Sequence, residues 1–384
     1  MPWKEVSMVD QRREFVSLAL TGEVAIAELC RRFGISRDSG HRLLRRHAEL
    51  GDGALMPGSR RPHGSPTRTD AAMEQQVLDL RDRHPSWGGR KLARRLRDMG
   101  LAEVPAPSTI TAILRRHGRI DPDRAVHHRP WQRFERAAPN ELWQMDFKGH
   151  IALQQGRCHP LTVIDDHCRF ALGLRACADE QATTVRGQLA ALFVRYGLPE
   201  AILCDNGSPW GATGHQDAQG RRAFTATEVW LLRLGIATRH GRPYHPQTQG
   251  KDERFHRTLN TEVLQMRQPM ADLTTAQAVF DEWREIYNHQ RPHEALGLAT
   301  PASRYRLSPR TFPQTLPEPQ YDTTDLTRRV RPDGAIRFAG HSFAISRAFA
   351  AMTVALRPTA IDGLWDVFFS RFAIAQIDLR DGHA

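Results

Sequence analysis

The spacing of apolar residues changes character twice along the chain. Up to about residue 118 it has a helical period. Gln11 to Leu20 is amphipathic, with Phe15, Val16, Leu18 and Ala19 as its apolar residues. "VAIAELCRRFGISRDSGHRLLRRH" then predicts a helix over about 25–33, a turn at Gly34, and a second helix that Ser36 caps and that runs to His47. Helix, short glycine-containing turn and helix make the helix-turn-helix pattern, whose second helix enters the DNA major groove. The polar face of that second helix carries Arg37, His41, Arg42, Arg45 and Arg46. A further helical group follows: Asp70–Arg83, then "HPSWGGRKLARRLRDMG", then a recognition-type helix that starts at Pro107-Ser108-Thr109 and reaches Arg116.

Beyond residue 139 strands alternate with helices. "NELWQMDFKGHIAL", "CHPLTVIDDHCRFALGLRAC" and "PEAILCDNG" read as strands. "EQATTVRGQLAALFVRYG", closed by Gly197, and "AFTATEVWLLRLGI", "GKDERFHRTLNTEVLQMR" and "LTTAQAVFDEWREIYNHQRPH" read as helices. That alternation predicts an α/β layered domain. From about 325 the runs "GAIRFAGHSFAIS", "MTVALRPTAIDGLWDVFFS" and "AIAQIDLR" are all strand-like with glycine turns, as in a small β-barrel or sandwich. Between these regions, "MPGSRRPHGSPTR" (56–68), the Arg/His/Pro-rich 119–138 and the Pro-rich 306–324 read as linkers, the first with Arg60 and Arg61 placed to track phosphates.

Composition sharpens this picture. Residues 1–139 hold 26 Lys+Arg against 17 Asp+Glu, a net of +9, whereas the remainder of the +11 chain is nearly balanced. The excess cation sits where the helix-turn-helix pattern lies, as a polyanion-binding region requires. Arginine preference itself carries no weight, because only four of the 54 basic residues are Lys. No apolar run approaches the roughly 20 residues of a membrane helix, and the N-terminus lacks a signal peptide's apolar region. The five cysteines (30, 158, 168, 177, 204) form no C-x-x-C pair, so buried free thiols in a reducing cytoplasm are expected.

Three carboxylates stand out in the α/β region. Asp146 alternates with Trp143, Met145 and Phe147, so it shares the opposite face of its strand with Gln144. Asp205 ends a strand and is followed by Asn206 and Gly207, which suits either an ordinary turn or a ligand at a strand's carboxyl end. In the later helix Phe255, Leu259 and Val263 define the core face. Glu253 lies about 200° away with Arg257 and Asn260, while Asp252 is only about 60° from Phe255 and is the poorer candidate. Two aspartates and a glutamate without a Cys/His set make an oxygen-only site, suited to Mg²⁺ or Mn²⁺. Asp165 and Asp166 are adjacent on a strand, so at most one can face such a site, and a structural role or one that supports the ligands from behind is expected.

"NELWQMDFKG", "TVIDDHCRF", "ILCDNGSPW", "RPYHPQTQGKDERFHRTLNTEV" and "YNHQRPHEALGLATPASRY" occur in one order. Together they resemble the integrase-core DDE transposases of bacterial insertion sequences, relatives of retroviral integrases. The resemblance spans roughly 139–305, and the flanking regions suit the family. It implies a helix-turn-helix DNA-binding domain (1–55), a basic linker (56–68) and a second helix-turn-helix-like domain (69–118). After a linker (119–138) come a ribonuclease-H-like catalytic core (139–305), a Pro-rich linker (306–324) and a small all-β, SH3-like domain (325–384). Asp146, Asp205 and Glu253 are then the catalytic ligands of two Mg²⁺ ions, with Mn²⁺ able to substitute. Arg254, His256 and Arg257 would touch DNA, and the Tyr244-His245-Pro246-Gln247 stretch would form the turn into the glutamate helix. The implied function is to bind the element's terminal inverted repeats, hydrolyse the end phosphodiester and join the 3′-OH to target DNA. The implied particle is a homo-oligomer, at least a dimer, on paired ends, cytoplasmic and nucleoid-associated. The alternative is a sequence-specific DNA-binding regulator with an inactive core. Two departures are visible: "GATGHQDAQGRRA" (211–223) reads as an insertion between Asp205 and Glu253, and Asn260 stands where many relatives carry a basic residue.

Overall fold

Ser36 does what its position before "RDSGHRLL" requires: its Oγ accepts the Ser39 N–H at 3.1 Å and opens a helix. In the computed structural model this helix is the third of an N-terminal group, α1 (Met8–Thr21), α2 (Ile26–Arg32) and α3 (Arg37–Leu50). The structure describes residues 7–57, 69–120, 135–205, 207, 210, 224–240, 250–266 and 269–380. Arg60, Arg61, most of the 119–138 linker, Asn206, the 211–223 insertion and the Tyr244–Gln247 stretch lie outside the described residues. Phe15, Val16, Leu29, Cys30 and Leu55 form the small core of this first group, and α3 runs three residues past the expected end. The chain divides into two compact units, Met1–Thr69 and Asp70–Ala384.

The second unit begins with α4 (Ala71–Arg83), α5 (Gly89–Asp98) and α6 (Pro107–Arg116). Asp70 caps α4 through the Ala72 N–H, and Pro107 occupies the first turn of α6, where its missing N–H costs nothing. Val77, Leu80, Trp87, Leu92, Leu96, Ile110, Ile113 and Leu114 pack between the three helices. α5 and α6 approach so closely at Gly89 that a side-chain methyl there would run into the Pro107 carbonyl oxygen and meet the Thr111 hydroxyl at 2.5 Å.

The α/β core is a six-stranded mixed sheet. β1 (Trp143–Phe147), β3 (Arg157–Asp165) and β4 (Ala171–Cys177) are antiparallel, and the short β2 (Ile151–Ala152) also pairs with β3. On the other side of β1 lie the parallel strands β5 (Ala201–Cys204) and β6 (Ala237–His240), the latter not anticipated from the sequence. α7 (Ala182–Tyr196) and α8 (Ala226–Arg233) cover one face, packing Leu189, Leu192, Phe193 and Trp230 on Trp143, Met145, Leu161, Val163 and Ile202. The opposite face receives α9 (Gly250–Leu259), a π-helical turn (Asn260–Leu264) and α10 (Leu273–His289), through Phe255, Leu259, Val263, Phe280 and Trp283. All five cysteines are buried free thiols, as expected.

The C-terminal region is all-β and antiparallel. β7 (Leu326–Arg329), β10 (Thr353–Pro358), β11 (Leu364–Phe369) and β12 (Phe372–Asp378) form one sheet, and β8 (Ala335–Phe338) and β9 (His341–Ala344) form a hairpin. Its core of Ile336, Phe343, Phe349, Val354, Val367 and Phe369 continues into Val229 and Leu232 of α8.

One segment that composition marks as a linker is pinned, and the second helical group is tied to the core. Within 306–324, Ser308 donates its N–H to the Tyr196 carbonyl. The Arg310 guanidinium donates to the carbonyls of Pro199, Leu234 and Gly235, while Phe312 and Leu316 pack on the core. A Pro-rich stretch is poor in backbone donors, and here arginine side chains supply the bonds instead. The α4–α6 group is held to the core by Ser86, whose hydroxyl donates to Glu262 at 2.6 Å, and by Arg95, which donates to Gln290 at 3.0 Å.

Gly89→Ala should destabilise the chain by about 1–3 kcal/mol, because the added methyl has backbone rather than a flexible side-chain tip in its way. A lowered midpoint in equilibrium unfolding of the full chain checks this; an unchanged midpoint would show that α5 and α6 can separate at no cost.

Candidate active site

The strand alternation read from "LWQMDF" holds. Trp143 and Met145 are fully buried against α7 and α8, and Gln144 and Asp146 face the other way, toward α9. β1 runs parallel to β5 with Trp143 opposite Ile202 and Gln144 opposite Leu203. Two more residues in that register bring Asp146 level with Asp205. The two aspartates therefore stand at the carboxyl ends of neighbouring strands, where ligands gather in α/β sheets.

Asp205 is held from several sides. Its Oδ1 accepts the Gly207 N–H at 2.8 Å and the Trp210 indole N–H at 2.5 Å. A Cβ on residue 207 would sit 3.0 Å from the Asp205 carboxylate, which would have to shift by a few tenths of an ångström to admit it. Trp210 also stacks on Phe147, with ring centroids 5.1 Å apart, and so ties the residue after Asp146 to the loop that bears Asp205. Behind the loop the His240 ring bridges the Asp205 carbonyl (2.8 Å) and the buried Glu228 carboxylate (2.9 Å). Glu228 in turn closes a capping box with Thr225 at the start of α8. Asp205 is thus both turn and ligand candidate. The sequence offered Trp210 inside "DNGSPW" but no signal for its role. His240 could not be found at all, because its partner is distant in sequence.

α9 presents Glu253 on its exposed side with Arg254 and Arg257, as the helical angles predict. His256, expected at DNA, instead turns toward the sheet. Its Nε2 is 2.9 Å from the Thr162 hydroxyl and its Nδ1 is 4.0 Å from Asp146, and burial lowers its pKa to about 4. Lys251 anchors the first turn of α9 by pairing with Asp166, which also accepts the Gln144 amide at 2.6 Å and the Arg136 N–H at 2.9 Å. Asp165 accepts the backbone N–H groups of Asn140, His167 and Cys168 and closes the β3–β4 turn. Asp165 thus has a structural role, and Asp166 supports the start of α9 from behind through Lys251. On α3, in the first unit, Arg37, His41, Arg42 and Arg45 are exposed and Arg46 is half-covered.

Burial, together with the negative charges of Asp205, Glu180 and Glu253, raises the Asp146 pKa to about 7. The three candidate carboxylates therefore feel one another. Their all-oxygen donor set and mutual repulsion fit a hard divalent cation, which would relieve both. Among the described residues no three His, Cys, Asp or Glu side chains stand close enough to hold one ion together.

This charge state has a measurable consequence. Asp146 protonates near 7 in the folded chain and near 3.9 when unfolded. Across about pH 4 to 7 the folded state therefore binds the extra proton, and stability falls as pH rises. In chelator-treated protein, Asp146→Asn should narrow the fall in melting temperature between pH 5 and pH 7. An identical fall in both proteins would mean that Asp146 titrates normally.

The comparisons with known proteins agree with this architecture. Two family models, each described as an integrase core domain, match residues 136–246 and 234–301. The C-terminal domain of the IS481 family transposases matches 325–384, a helix-turn-helix domain matches 11–63, and a homeodomain-like domain matches 39–114. The chain is 26% identical over 280 residues to the insertion element IS476 uncharacterized 39.2 kDa protein of Xanthomonas euvesicatoria, covering 71% of this chain and 70% of that one. It is 27% identical over 165 residues to the IS407 uncharacterized 31.7 kDa protein of Burkholderia multivorans, covering 43% and 55%. Among solved structures it is similar to the catalytic core domain of BIV integrase, with 22% identity, a TM-score of 0.31, and 43% and 92% of the two chains covered. With an integrase core between helix-turn-helix domains and a transposase C-terminal domain, the chain belongs to the integrase-core transposases of insertion sequences.

Proposed function

We propose that this transposase binds the terminal inverted repeats of its element, hydrolyses the phosphodiester at each end, and joins the freed 3′-OH to target DNA. The observation that carries this reading is the parallel register that brings Asp146 level with Asp205 at adjacent strand ends, with the helix that bears Glu253 packed against β1. These three residues would hold two divalent cations. Bound there, such ions lower the cost of charge on the attacking and leaving oxygens of an in-line displacement at phosphorus. In the first step water attacks phosphorus and the P–O3′ bond breaks, leaving a 3′-OH and a 5′-phosphate. In the second, that hydroxyl attacks a target phosphodiester and displaces the target's 3′ oxygen. Trp210 and Gly207 fix the Asp205 carboxylate, Lys251 and Asp166 fix the start of α9, and exposed Arg254 and Arg257 are available to DNA phosphates beside Glu253.

Two element ends must be processed for one target, and each site serves one end at a time. The working particle is therefore at least a dimer on paired ends. The N-terminal unit supplies end recognition through α3, and the basic 56–68 segment adds phosphate contacts.

Asp146→Asn, Asp205→Asn and Glu253→Gln should each abolish cleavage of a terminal-repeat duplex while leaving its binding nearly intact, since binding resides in the basic helices. Gel shift and cleavage assays on the full chain check this, and wild-type cleavage by any variant removes that residue from the site. Arg42→Ala and Arg45→Ala should weaken binding and reduce the salt slope by about one for each phosphate that is no longer neutralised. Unchanged affinity and sequence preference would sink the assignment of α3. Mixing Asp205→Asn protein with protein lacking the α3 arginines should restore cleavage if one chain binds the end that another cuts. No recovery, with both proteins folded and co-assembled, leaves only an arrangement in which one chain binds and cuts.

A further inference from the structure

Glu262 stands where three elements meet. The π turn that continues α9 carries it inward, and its side chain is only 10% exposed. One carboxylate oxygen accepts the Ser86 hydroxyl at 2.6 Å and the Arg291 Nε–H at 3.0 Å, and the other accepts the Trp283 indole N–H at 3.0 Å. Burial pushes its pKa up, but the Arg291 charge and these hydrogen bonds outweigh burial and hold it below the ordinary carboxylate value, so Glu262 stays ionised. Ser86 comes from the turn between α4 and α5, Trp283 from α10, and Arg291 from the segment after α10. Beside this joint Arg95 of α5 donates to Gln290 at 3.0 Å, and Ile286 of α10 packs on the core of the α4–α6 group. The YNHQRPH motif (287–293) thus supplies Gln290 and Arg291 to the contact. Parting the helical group from the core would remove a partner of a buried charge and uncover Ile286, so the contact resists rocking. The outward side of the group is open. On α6 Ser108, Ala112 and Arg115 recur at helical spacing with Thr109 beside them, and all four are exposed. Short side chains near the start of a helix, with an arginine further along, suit a helix that lies in the major groove.

We propose that the α4–α6 group and the catalytic core work as one rigid body with Glu262 as its positioning residue, so that DNA seated on α6 is held at a fixed spacing from Glu253 of the same chain. This rests on the reading of the chain as a transposase that cuts its terminal repeats, and adds that the second helical group measures where its own chain cuts. The helix that carries Glu253 runs directly into the turn that carries Glu262, so the element that bears the candidate ligand is also the one that holds the group.

Three measurements on the full chain, with a duplex of the element's terminal repeat, test this. Protections from hydroxyl radicals that wild-type protein gives and the double variant Thr109→Ala, Arg115→Ala loses mark the α6 contact, and that variant should bind about tenfold more weakly. Identical protection and affinity would mean that α6 reads no DNA, and would overturn the inference. Five base pairs inserted between that contact and the cut turn the original junction about half a helical turn away. Wild-type protein should then cut at the unchanged distance from the α6 contact, or cut about tenfold less; wild-type cutting at the original junction overturns the fixed spacing. Glu262→Gln, and Ser86→Ala as a milder change that leaves the charge in place, should bind the unmodified duplex as wild type does yet spread their cuts over neighbouring positions. A single unchanged cut position in both overturns the role of Glu262. Finally, mixed particles of Asp205→Asn protein and the α6 double variant, isolated through two different tags, should stay as inactive as either alone. Recovered cutting would mean that α6 of one chain serves the site of another. If wild-type protein cuts no terminal-repeat duplex, the functional reading itself fails and the inference falls with it; the other adverse results overturn the inference and leave that reading standing.

Discussion

Two carboxylates forced together at neighbouring strand ends are the constraint on which the catalytic domain is built. The parallel β1–β5 pairing brings Asp146 and Asp205 level, and burial of Asp146, with the negative charge of Asp205 added to it, raises the Asp146 pKa to about 7. Left to itself such a pair would drift apart or push the loop after β5 away. The surrounding structure opposes that drift. Trp210 donates to one aspartate while stacking beside the other, Gly207 closes the turn, and His240 and Glu228 brace the loop from behind. Free energy from packing and hydrogen bonding elsewhere thus maintains a locally unfavourable charge arrangement, as functional sites commonly require.

The same logic extends to α9. Its first turn is fixed by Lys251 on Asp166, and its core face is fixed by Phe255 and Leu259. Glu253 is therefore presented from a rigid element rather than a loop. Past Leu259 the helix widens into a π turn that brings Glu262 inward, where it accepts from Ser86, Trp283 and Arg291. Helical irregularities of this kind often sit at functional places, and this one joins the α4–α6 group to the helix that bears a candidate ligand.

The sequence made the elements legible because each declares itself locally. Ser36, Asp70 and Pro107 mark helix starts, Gly197 marks an end, and the two-residue alternation through Trp143, Met145 and Phe147 assigns Asp146 its face before any tertiary contact is known. β6 escaped because "ATRH" is short and polar, and only pairing with β5 makes it a strand. The pinned path of 306–324 escaped because proline content speaks of missing donors and not of arginines that reach across to carbonyls.

What the sequence determined by itself is the order of helical, α/β and all-β regions and the choice of Asp146, Asp205 and Glu253 as candidates. Periodicity and capping are local, and the five ordered motifs carry Asp146, Asp205 and Glu253 with them. What only the tertiary structure decided is the company these residues keep. His256 turns inward to Thr162 instead of outward, Asp166 anchors Lys251, and Asp252 is buried with no hydrogen-bond partner among the described residues. The reason is physical. A side chain's direction along a helix follows from its position in the chain, but its hydrogen-bond partner and its electrostatic field come from residues tens of positions away. Those distances close only when the sheet and helices pack.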